Sequence, residues 1–190
     1  MLRTGRSNRR ATYLVVRAYM KNTILFLSFM FFSSHAFSGN AWWVDFRYIP
    51  TSNTMFGVEA EKINKEFSHV EIFTCKSIKY FNPDQCKEVK RNNSKFELVG
   101  DFNNDGVQEI WNVGIAKLSN GNYAHTVIIR NEKSKNIEQV ITVKVKQPRF
   151  SILSKYYGAL KLFFCMECGD YAEIIWKNNK WVLKWPEPYG

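Results

Sequence analysis

Tyr123-Ala124-His125-Thr126-Val127-Ile128-Ile129-Arg130-Asn131, followed by Ile137-Glu138-Gln139-Val140-Ile141-Thr142-Val143-Lys144-Val145, decides the fold class. Val127–Ile129 and Val140–Val145 are β-branched runs, and such residues fit a pleated, half-buried surface. The polar turn Lys133–Asn136 separates them, so the pair predicts strands over 123–131 and 137–147. Working backwards, Asn120-Gly121 marks a turn before a further strand at Ile110–Leu118, and Phe96–Val99 reads as one more. Working forwards, Leu160–Cys165 is apolar enough for a strand. Glu173–Trp176 and Lys180–Trp185 flank Asn178-Asn179, a pair suited to a two-residue hairpin turn.

The segment before residue 96 is more mixed. Trp42–Phe46 is rich in strand formers and predicts an opening strand. Val58, Ile63, Phe67 and Val70 fall near helical spacing, with Glu59, Glu61, Lys62, Lys65 and Glu66 on the other face, so Val58–Ser68 predicts a short helix. Val70–Cys75 follows as a strand, and Asn82-Pro83-Asp84 marks a turn. The expectation is a mainly β protein: a single antiparallel β domain over residues 39–190, sandwich-like or propeller-fragment-like, with one short helix.

The sharpest chemical signal is Gly100-Asp101-Phe102-Asn103-Asn104-Asp105-Gly106-Val107-Gln108-Glu109. Oxygen-bearing side chains stand at Asp101, Asn103, Asp105 and Glu109, and Val107 can offer its backbone carbonyl. Alternate placement lets successive oxygens converge on one point, as Ca²⁺ requires, while Gly106 permits the tight turn. It is not an EF-hand: the twelfth position is Asn112, not Glu, and the flanks read as strands. Val99–Trp111 resembles the FG-GAP/VCBS repeat, a Gly-Asp-Phe-Asn-x-Asp-Gly-x-x-Asp/Glu loop followed by an apolar strand. Repeats of this family occur in integrin-like β-propellers and in many secreted bacterial proteins. The resemblance implies that Asp101, Asn103, Asp105, Val107 and Glu109 bind a structural Ca²⁺. The motif occurs once, and one such loop in a chain of this length does not build a complete propeller.

Net charge is +10, but it is unevenly placed. Residues 1–38 hold Arg3, Arg6, Arg9, Arg10, Arg17 and Lys21 and no acidic residue, which leaves 21 basic against 17 acidic side chains in 39–190. Lys21, the apolar run Ile24–Phe32 and the small residues Ser33, Ser34, Ala36 and Ser38 follow the order of a secretory signal. The run falls short of the ~20 apolar residues a spanning helix needs. Residues 1–38 are therefore expected to be a signal peptide, with 1–19 as an upstream extension if Met20 is the start. The product is expected to be periplasmic or secreted, touching a membrane only through an uncleaved signal segment. The small remaining charge argues against nucleic-acid binding.

Cys75, Cys86, Cys165 and Cys168 all lie beyond the signal segment, and an even count in an oxidising compartment favours disulfides. Pairing 75 with 86 and 165 with 168 closes two short loops and is preferred; the cross pairings stay open. Glu167 and Asp170 would raise a thiol pKa beside Cys165 and Cys168, which argues against redox chemistry. Only His69 and His125 remain after the signal segment, and no nucleophile elbow, His-Glu-x-x-His or phosphate loop is present. The favoured reading is a non-catalytic, Ca²⁺-stabilised protein-binding module, such as an inhibitor or immunity-type protein. Trp176, Trp181 and Trp185 are its candidate contact residues. The alternative is a periplasmic envelope enzyme acting on glycan or peptidoglycan, with Asp170 and Glu173 as the nearest carboxylates and Ca²⁺ in support.

Overall fold

The computed structural model describes residues 41–76, 79–167 and 169–187. The expected signal segment and Cys168 lie outside these residues. Eleven strands and three helices are present among the described residues. A five-stranded antiparallel sheet holds β3 (Phe67–Ile72), β4 (Glu97–Gly100), β5 (Glu109–Leu118), β6 (Tyr123–Asn131) and β7 (Ile137–Val145). A four-stranded antiparallel sheet holds β8 (Ile152–Tyr156), β9 (Ala159–Phe163), β10 (Tyr171–Lys177) and β11 (Lys180–Lys184). β1 (Thr54–Met55) and β2 (Val58–Glu59) form a small separate ribbon.

Both faces of the larger sheet are covered, and this explains the continuous apolar runs of β5 and β6. Odd-numbered Trp111, Val113, Ile115, Val127 and Ile129 join one buried cluster with Ile152, Leu153, Leu162, Ile174 and Trp181 of the smaller sheet. Even-numbered Ala116, Leu118, Ala124 and Ile128 join a second cluster with Met55, Ala60, Phe67 and Val70. A strand with one wet face would alternate in polarity; here successive residues point into different cores. The β10–β11 turn is of the expected kind, with Asn178 and Asn179 both left-handed at φ 53° and 56°.

Three expectations near the start of the chain are corrected. Trp42–Asp45 is a single helical turn, α1, not a strand. Its aromatic residues pack inwards: Trp42 meets Phe81 at 5.6 Å and Phe150 at 5.1 Å between ring centroids, and tertiary packing overrides strand propensity. Val58–Ser68 is not one helix; β2, the four-residue α2 (Ala60–Ile63) and the start of β3 divide it. Phe67 and Val70 face the same core because the register slips by one residue between Phe67 and His69. That bulge converts a spacing of three into one strand face and so imitates helical periodicity. Asn82-Pro83-Asp84 is not an isolated turn but the start of α3 (Pro83–Arg91), the longest of the three helices. The Asn82 side chain accepts from Asp84 and Gln85 N–H at 3.0 and 2.9 Å, and Gln85 Oε1 accepts from Asn82 N–H at 2.8 Å. A capping box with Pro at N1 uses the same residue types as a turn.

β8 was not foreseen, although Ile152 and Leu153 are fully buried. Cys75 and Cys86 form the expected disulfide, Cα atoms 5.8 Å apart, which ties the end of β3 to α3. Cys165 is buried and also disulfide-bonded. No helix among the described residues is long and apolar enough to cross a membrane.

Candidate functional site

The acidic loop joins β4 to β5, whose ends are paired at Gly100 and Glu109. Phe102 anchors it. Its ring folds over Gly100, where an added Cβ would sit 2.8 Å from the ring, and it meets Trp111 at 5.4 Å. Asn104 and Gly106 take left-handed backbone at φ 58° and 84°, which turns the loop back on itself.

The side-chain oxygens are ordered by the loop's own N–H groups. Asp101 Oδ1 accepts from Asp105 N–H at 3.1 Å, and its Oδ2 accepts from Gly106 N–H at 2.9 Å. Asn103 Oδ1 accepts from Asp105 N–H at 3.2 Å, while Asn103 Nδ2 donates to Asp105 Oδ2 at 2.8 Å. Asp105 Oδ1 accepts from Val107 N–H at 2.8 Å, and Glu109 Oε2 accepts from Phe102 N–H at 3.1 Å. Glu109 is buried. Burial pushes its carboxyl above the usual carboxylate range; the Phe102 N–H opposes this, and the charges of Asp105 and Asp101 add to it. The loop thus places the charges of Asp101 and Asp105 within electrostatic range of Glu109. Among the described residues, no three His, Cys, Asp or Glu side chains converge at a metal-holding distance. The donor chemistry fits a hard oxygen-seeking cation: three carboxylates, one amide and the Val107 carbonyl, with no sulfur or imidazole.

The other candidates are scattered. Trp181 is buried and meets Trp111 at 4.7 Å and Trp176 at 5.0 Å. It is tied to β7 because its backbone N–H donates to Gln139 Oε1 at 2.8 Å. Trp176 is 41% and Trp185 50% exposed, so these two, not Trp181, present aromatic surface. Glu173 faces Lys161 Nζ at 3.8 Å. His125 is buried against Phe164, and burial, then the charge of Arg149, pushes its pKa down to about 4.

One constellation escaped the sequence reading. Glu71, buried on β3, accepts from the hydroxyls of Tyr48, Thr51 and Tyr80, the N–H groups of Thr51 and Ser52, and Lys79 Nζ, at 2.7–3.0 Å. Its donors come from two segments, 48–52 and 79–80, on either side of it in the chain, and nothing in their local pattern marks them as neighbours.

No family model matches the chain, and neither does any curated protein or solved structure.

Proposed function

We propose that this chain is an exported, disulfide-bonded β domain that binds Ca²⁺ through Asp101, Asn103, Asp105, the Val107 carbonyl and Glu109. We further infer that it acts as a non-catalytic protein-binding module, of the kind that inhibits or confers immunity to another envelope or secreted protein. The observation that carries the metal reading is the loop itself. Backbone N–H groups fix the carboxylates of Asp101 and Asp105, and the buried Glu109 carboxyl sits under the repulsion of both. A cation would relieve that repulsion and use the remaining oxygen lone pairs. The Cys75–Cys86 disulfide fits an oxidising compartment. The half-exposed Trp176 and Trp185 supply aromatic surface of the type enriched at protein interfaces.

Calcium titration of the protein as produced tests the metal. Ca²⁺ should raise the melting temperature and EGTA should reverse the rise, with about 2.7 kcal/mol of stabilisation at 100 times Kd. Asp105→Ala should remove the response. Melting that ignores Ca²⁺ in the wild type would sink the reading. For the partner, Trp176→Ala and Trp185→Ala should weaken retention of a stoichiometric protein from an envelope extract. Failure of the wild-type protein to retain one would count against a binding module.

A further inference from the structure

β3 and β4 both lie along one edge of β5, but they do not meet. β3 ends at Ile72 and β4 begins at Glu97. Between them Phe73 N–H donates to Val113 O at 2.9 Å, and Val113 N–H donates to Phe96 O at 3.0 Å. The chain between these points runs through the disulfide and α3, and its return encloses a cleft of about 1110 Å³. That volume lies just above the range for small-molecule sites, roughly 300–1,000 Å³. Ile72, Pro83 and Cys86 give it accessible apolar surface, and the buried Phe73, Phe81, Val89 and Phe96 form its floor.

The charged part of the lining is mainly cationic. Lys76, Lys87, Lys90 and Lys95 all border the cleft and are exposed. Lys87 Nζ is held by Asp84 at 2.9 Å. Among the described residues, the ammonium groups of Lys76, Lys90 and Lys95 have no ion pair or hydrogen bond. The single carboxylate in the lining, Glu97, already accepts from Asn112 Nδ2 at 3.0 Å. Three unpaired ammonium groups against one carboxylate leave the lining net cationic beside apolar surface, which matches a ligand divided in the same way. Apolar wall favours release of water from a chain, and the ammonium groups favour an anion at its end.

We propose that this cleft binds an amphiphile with an aliphatic chain and one anionic end, a carboxylate or a phosphate. The chain lies against Ile72, Pro83 and Cys86, above the buried Phe73, Phe81, Val89 and Phe96, and Lys76, Lys90 and Lys95 meet the anion. The cleft shares no residue with the acidic loop, so the proposal stands or falls apart from the Ca²⁺ reading.

Isothermal titration with dodecanoate and dodecyl phosphate, below their micelle concentrations, tests it. Saturable one-to-one binding is expected, with dodecyltrimethylammonium binding at least tenfold more weakly. Lys76→Ala/Lys90→Ala/Lys95→Ala should lower dodecanoate affinity at least tenfold at unchanged melting temperature. Thr74→Trp, which fills the cleft from a half-buried position, should abolish binding. Co-sedimentation with phosphatidylglycerol vesicles, lost in the same variants, would identify the source as a bilayer lipid; binding of the monomer alone would identify a free acid. No saturable heat, equal binding of the cationic chain, or full affinity in the triple variant would each overturn the proposal. So would binding of an acidic peptide in place of dodecanoate.

Discussion

Glu71 is the most heavily engaged side chain among the described residues. Burial raises its carboxyl pKa, but Lys79, the Thr51 N–H and the Tyr48 and Tyr80 hydroxyls outweigh that and hold it at about 2. A carboxyl titrates near 4.3 in an unfolded chain. The folded state therefore gains from Glu71 above that value, and the gain disappears as pH falls through about 2. Glu71→Gln should cost about 2–3 kcal/mol at pH 7 in urea denaturation, because several donors lose a charged acceptor. The cost should shrink on acidification towards pH 2. His125 works in the adjoining window with the opposite charge. It is neutral when folded, whereas an unfolded histidine takes up a proton near pH 6.5. Its contribution is present above that pH and is lost as pH falls to about 4. His125→Phe, which keeps an aromatic ring against Phe164, should flatten the stability profile between pH 6.5 and 4. An unchanged slope there would refute the assignment.

At the scale of elements, Gly114 on β5 shows why close packing was invisible in the sequence. A Cβ on Gly114 would clash with the Glu71 carbonyl oxygen and lie 2.7 Å from the Ile72 Cα, both rigid backbone. β3 would have to back away from β5, so Gly114→Ala should cost about 1–3 kcal/mol as an overpacking change. Because the displaced strand carries Glu71, combining it with Glu71→Gln should give a sum that is not additive, measurable in a double-mutant cycle. In the sequence Val113-Gly114-Ile115 reads only as a strand with an unexplained glycine. What was legible was local: β6 falls at the expected residues, and Asn178-Asn179 turns β10 into β11. What was not legible depends on a partner far along the chain. The bulge at Ser68 is fixed by β5, α1 by the aromatic core, and α3 by a cap that also spells a turn. The acidic loop was legible as a residue pattern, because its ordering contacts lie within nine residues.

For the whole molecule, the uneven charge and the two-sided sheet matter most. The described domain is not a basic surface carrying a net +10; six of the 27 cationic residues precede it. Its organising element is β5, which β6 borders along Glu109–Lys117 while β3, Phe73, Phe96 and β4 succeed one another on the opposite edge. The smaller sheet rests on one face of the larger and can separate from it without breaking any of those pairings. This arrangement has a consequence in time. In D₂O, the amides of Trp111–Ala116 should be the last to exchange their hydrogens, at a free energy equal to that of global unfolding, while those of β11 exchange earlier by partial opening. Equal protection of β5 and β11 would show that the two sheets open as one. In the expected case, β5 is the gauge of the molecule: no local fluctuation frees it, and its exchange reads the stability of the fold itself.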